Sequence, residues 1–189
     1  MSCQFEKVFY NELKDKINES KLDTIKKGIA TGLIGLSSLM HPIDIQAKSN
    51  KVDDKPQISQ TKKKKMETVE QKVEKLIPFL KKIESNNNPN AKGDYLNGKP
   101  RSLGILQIRK GVIDDVNQHY NTNYKHKDAF DIKKAEDICK KYISLYTKNI
   151  KDPSYEILAR IWNGGPKGYT RNITNEYWDK VSNEILNKK

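Results

Sequence analysis

The chemistry-bearing residue that stands out in this chain is a carboxylate at the end of an apolar helical stripe. Val69, Val73, Leu76, Ile77, Leu80 and Ile83 recur at spacings of three and four, and Glu84 follows at once, ahead of the Asn-rich "SNNNPNA". That spacing predicts an amphipathic helix whose last turn carries Glu84. A carboxyl at such a rim, flanked by Ile83 and facing a loop, can be partly desolvated, which would raise its pKa and let it hold a proton near neutral pH. Such an acid suits protonation of a glycosidic leaving oxygen. An isolated Glu-Ser at a helix end is ordinarily surface decoration, so Glu84 needs partners before it counts as a site.

Two later motifs supply candidates. In "SLGILQI", residues 102 to 108, Gly104 permits close backbone approach and Gln107 offers an amide that both donates and accepts hydrogen bonds. In "ARIWNGGPKG", residues 159 to 168, an aromatic, an amide and two glycines meet at a helix end, and Asn163 could orient a substrate group or Glu84. Each motif alone also reads as a turn or a helix stop.

Taken together and in this order, the motifs resemble those of the lytic transglycosylases, the soluble-lytic-transglycosylase-like branch of the lysozyme superfamily that also holds the goose-type lysozymes. The resemblance rests on Glu84, Ser85, Pro89 and Ala91; on Gly104, Ile105, Leu106 and Gln107; on Ala159, Asn163 and Gly165; and on Tyr177, Lys180 and Val181. It covers roughly residues 67 to 187 and is strongest toward small phage and bacterial transglycosylase-like proteins. Two departures fall in substrate-facing segments: Ile105 and Leu106 replace the more usual Leu-Met, and Lys92 to Arg101 is longer and more polar than the common loop.

The resemblance implies a mainly α, lysozyme-like α+β fold: a single helical domain with a small β-hairpin or loop beside the cleft. It implies peptidoglycan glycan strands as the partner, Glu84 as the catalytic acid and base, and Ser85, Gln107, Asn163 and Tyr177 as supports for Glu84 or the saccharide. The implied reaction cuts the bond between N-acetylmuramic acid and N-acetylglucosamine and leaves a 1,6-anhydro sugar, with no cofactor and no metal. A lysozyme-type hydrolase is the alternative, and it wants a second carboxylate about 5 to 9.5 Å from the acid. Asp94, Asp114 and Asp115 are the candidates; the latter two fall on a predicted helix and read as surface or capping groups, leaving Asp94. A non-catalytic wall-binding or virion structural protein could keep the fold, but has little reason to keep Glu84 with Gln107 and Asn163.

The rest of the chain must position these groups. A length of 189 residues allows one ordinary core with a tail. The net charge of +12 comes from lysines spread along the chain, so it singles out no nucleic-acid partner. The two cysteines, Cys3 and Cys139, lack metal-ligand spacing, and Cys139 falls on the apolar side of a predicted helix. Residues 1 to 47 read as a leader: the apolar run at 28 to 40 is too short to span a bilayer and fits either a signal-peptide core, with Ala47 a possible cleavage residue, or an N-terminal arm. Residues 48 to 66 read as a polar linker and 67 to 189 as the folded domain. An exported or virion-associated monomer is expected.

Within that domain Pro78 is expected to kink or break the first helix, and residues 86 to 100 read as loop ahead of a short strand or buried turn. Helices are expected over Lys110 to His119, over Ile132 to Lys148 with Asp131 as N-cap, from Asp152-Pro153 to the "GGP" stop at Gly164 to Pro166, and from about Thr174 onward.

Overall fold

The structure, a computed structural model, describes residues 67–187 and, ahead of them, residues 11, 14–19 and 22. Residues 11, 14–17 and 67–187 belong to one compact unit and 18, 19 and 22 to a second. Cys3, the apolar run 28–40, Ala47 and the linker 48–66 lie outside the described residues.

The first helix, α1, runs Val69–Ser85. Thr68 starts it with a reciprocal cap: its hydroxyl accepts from the Gln71 N–H at 3.2 Å, and the Gln71 amide oxygen accepts from the Thr68 N–H at 2.9 Å. Val73, Leu76, Ile77, Phe79 and Leu80 form its buried stripe. Contrary to the sequence expectation, Pro78 does not divide it. Pro78 sits on the exposed face, so the ring and the carbonyl it leaves without an N–H partner point toward water. The cost of about 3 kcal/mol for an interior proline is offset by neighbours that each contribute about 1.5–3 kcal/mol on burial.

Three short antiparallel strands follow in the order β1 (Lys92–Leu96), β2 (Lys99–Leu103) and β3 (Ile108–Arg109). The register aligns Gly93 with Ser102 and Ser102 with Arg109. The hairpin therefore begins inside the segment read as loop. Asn97-Gly98 joins its strands with φ of 50° and 71°, the left-handed pair that a two-residue hairpin loop demands.

The remaining helices are α2 (Lys110–Tyr120), α3 (Ile132–Thr147), α4 (Tyr155–Gly164) and α5 (Asn175–Asn187). Asp131 caps α3 by accepting from the Lys134 N–H at 3.1 Å. Ser154, not Asp152-Pro153, caps α4, because Asp152 takes a left-handed φ of 47° and cannot begin the helix. Helix α1 packs against α3, α4 and α5. Leu76, Leu80, Ile138, Ile143, Leu158, Ile161 and Ile185 are fully buried, and Cys139 lies among them. Ile17 joins this core, and the Lys16 ammonium lies 2.6 Å from the Glu67 carboxylate.

One close backbone contact ties the sheet to the helical side. Gly104 has φ of 76°, and a Cβ there would meet the Ala129 carbonyl oxygen at 1.7 Å. Gly104→Ala is therefore expected to lower stability by at least about 2 kcal/mol through combined backbone strain and overlap. Urea denaturation of the purified variant checks this, and an unchanged midpoint would contradict the contact.

Candidate active site

Glu84 ends up where α1 stops. The chain leaves the helix through Asn86 at φ 54°, whose N–H returns to the Lys81 and Lys82 carbonyls, so the last turn and its side chain are fixed. Glu84 is half-buried and faces a cleft of about 670 Å³, which Gln107 and Asn163 also line. From α5, Tyr177 donates its hydroxyl proton to Glu84 Oε1 at 2.7 Å.

Burial dominates the electrostatics of Glu84, disfavouring the charged form and lifting its pKa from 4.5 to about 7. The Tyr177 hydroxyl, the Trp162 indole N–H and the Arg109 charge pull the other way without cancelling it. Tyr177 is affected in turn: burial, and then the Glu84 charge, push its phenol well above the ordinary value. It stays a proton donor at any physiological pH.

The other sequence candidates fall in different places. The Gln107 side chain is largely engaged within the protein: its oxygen accepts from the Ser102 hydroxyl at 2.9 Å and its amide nitrogen donates to the Gly104 carbonyl at 2.9 Å. One N–H of this lining residue is left over from these bonds. Asn163, exposed at the end of α4, is part of the lining. Ser85 does not line the cleft; its hydroxyl donates to the Ile105 carbonyl at 2.8 Å and accepts from the Asn88 N–H at 3.1 Å. It fastens the end of α1 to the segment bearing Gln107. Tyr177 likewise is not part of the lining and meets the cleft only through its hydrogen bond to Glu84.

Of the three candidate second carboxylates, Asp94 and Asp115 line the cleft and Asp114 does not, and two arginines not singled out from sequence join them. Asp115, read there as a surface or capping group, lies on the cleft and accepts from the Tyr146 hydroxyl at 2.7 Å. Arg109 and Arg171 also line it. Asp94 is on the cleft too, but Arg101 lies 2.8 and 2.9 Å from its two oxygens and Arg109 lies 2.6 Å away. The Arg101 hydrogen bond is the main cause of the lowered Asp94 pKa. Only the adjacency of Arg109 to the Gln107 motif could have hinted at its place; nothing in the pattern marks Arg171.

A helical domain with a small sheet beside a cleft and one desolvated glutamate at a helix end is a lysozyme-like architecture. Residues 60–185 match the family described as the Transglycosylase SLT domain, and the chain belongs to that family. No curated protein matches it. Membership supports transglycosylase action on peptidoglycan in general. No helix among the described residues is long and apolar enough to cross a membrane.

The raised pKa carries a stability consequence. Below the unfolded value of 4.5, Glu84 is protonated whether folded or not; above about 7 it is ionised in both states, and the folded chain bears the full desolvation cost. Stability from this group is thus lost as pH rises between those two values. Glu84→Gln is expected to stabilise the protein at about pH 8, by up to about 3 kcal/mol, and to change little at about pH 4. Urea titrations at both pH values measure the difference, and an equal effect at both would refute it.

Proposed function

We propose that the protein is a peptidoglycan lytic transglycosylase that cuts the β-1,4 bond from N-acetylmuramic acid to N-acetylglucosamine and closes a 1,6-anhydro ring on the muramic residue. The Glu84 carboxyl gives its proton to the glycosidic oxygen, the bond from muramic C1 breaks, and the electron pair leaves with that oxygen. The Glu84 carboxylate then takes the proton of the muramic 6-hydroxyl while O6 bonds to C1. No water is consumed, and Glu84 is regenerated as the acid. Holding the hydroxyl within the same sugar replaces a bound water and its activating base by proximity.

The observation that carries this reading is the pairing of a glutamate poised near pH 7 with the absence, among the described cleft residues, of an uncommitted second carboxylate. Asp94 is held by two arginines and Asp115 by Tyr146. A hydrolase would need one of them as base or nucleophile. A pKa of about 7 leaves both forms of Glu84 available at neutral pH, as an acid that later turns base requires. Action on the wall agrees with reading residues 1–47 as a leader and 48–66 as a linker.

Glu84→Gln should abolish wall lysis, since the amide has no proton to deliver, and mass spectrometry of wild-type digests should find muropeptides one water lighter than hydrolysis products. Reducing-end muropeptides alone would make the enzyme a hydrolase. Asp94→Asn and Asp115→Asn should each keep anhydro-product formation, within about tenfold of wild type, because neither carboxylate moves a proton in this scheme. Complete loss in a folded Asp94→Asn or Asp115→Asn protein would restore the two-carboxylate mechanism.

A further inference from the structure

The cleft holds two cations in different states. Arg109 is neutralised by Asp94 at 2.6 Å. Arg171 has no carboxylate partner among the described residues; its one hydrogen bond from the side chain is a long one, Nη1 to the Gly164 carbonyl at 3.4 Å. Its backbone, by contrast, is firmly held. The Arg171 carbonyl accepts from Arg160 Nη2 at 3.1 Å, from the Thr174 hydroxyl at 2.8 Å and from the Thr174 N–H at 3.0 Å, while its own N–H donates to Gly168 at 3.0 Å. The Arg160 that makes this clamp is itself buried and paired with Glu156 at 2.6 Å. Gly168 fits only without a side chain, since a Cβ would meet the Arg160 carbonyl at 1.9 Å.

A guanidinium whose base is fixed and whose donors are mostly unspent, on the wall of a substrate cleft, is arranged to receive an anion in bidentate fashion. We infer that Arg171 is a specificity-determining residue that binds a carboxylate carried by the muramic residue of the substrate. The inference rests on the glycan-cleaving reading above. Neutral N-acetylglucosamine has no such group, whereas muramic acid bears a lactyl carboxylate when bare and peptide carboxylates when substituted. Binding that group would distinguish the two alternating sugars and place the muramic C1 at Glu84.

The test uses the full-length Glu84→Gln protein, which should bind glycan without cutting it, with and without Arg171→Ala or Arg171→Lys. Calorimetric titration compares neutral chitotetraose, a tetrasaccharide of alternating N-acetylglucosamine and bare N-acetylmuramic acid, and the same glycan carrying stem peptides. Arg171→Ala should weaken a carboxylate-bearing glycan about tenfold, change chitotetraose by less than about twofold, and lose its effect at high salt. Arg171→Lys should recover part of the loss. A loss with the bare glycan assigns the lactyl carboxylate, and a loss confined to the substituted one assigns the peptide. Equal changes for all three ligands, or none, would overturn the inference alone. Failure of the Glu84→Gln protein to bind any glycan would overturn the functional reading with it.

Discussion

The hydrogen bond from Tyr177 to Glu84 joins positions 93 residues apart, and much of the domain serves to bring its two ends together. Glu84 comes from the last turn of the first helix and Tyr177 from the last helix. Their meeting requires α1 and α5 to pack directly, which they do, and Leu80, Val181 and Ile185 all belong to the one core. The bond sits at a point of balance. Burial alone would raise the Glu84 pKa further and make its proton harder to give up, whereas more donors would leave the carboxyl ionised at neutral pH. Desolvation, opposed by one phenol, one indole and the Arg109 charge, sets the outcome at about 7.

Around that pair, hydroxyls and amides act as fasteners. Ser85 links the helix end to Ile105, Ser102 fixes the Gln107 amide, and Gly104 brings the turn against Ala129. Arg160, bonded to Thr174, holds the backbone of the lining residue Arg171. The Ser85 and Ser102 ties each join a turn residue to a helix or a strand. A cleft wall built from turns needs such ties, because loop backbone loses more entropy on ordering than the few contacts of its exposed side chains return.

The sequence was most legible where one periodicity ruled. The stripe from Val69 to Ile83, the Asp131 cap and the Gly164-Gly165 stop read correctly because local signals and the buried face agreed. It misled where tertiary packing outweighed a local preference. Pro78 stays inside a helix with its ring facing solvent, and the expected small hairpin forms but starts earlier, at Lys92, in a stretch read as loop whose pairing depends on β2. Of the cleft, Glu84, Gln107 and Asn163 were visible as motif members, Asp115 was named but read as a surface or capping group, and Arg109 and Arg171 were not named. A helical periodicity tells which face of α2 is polar, not which cleft that face lines.

The ties on Asp94 and Asp115 bear on why one glutamate could suffice. A carboxylate held by two guanidiniums is a weak base, and the lowered pKa of Asp94 states this in thermodynamic terms. Freed of both guanidiniums, Asp94 would be the stronger base that a competing hydrolysis wants. On the proposed reaction, Arg101 and Arg109 therefore do more than hold the hairpin. By occupying Asp94 they disfavour the competing nucleophile, so the product would depend on a carboxylate being silenced as much as on one being activated.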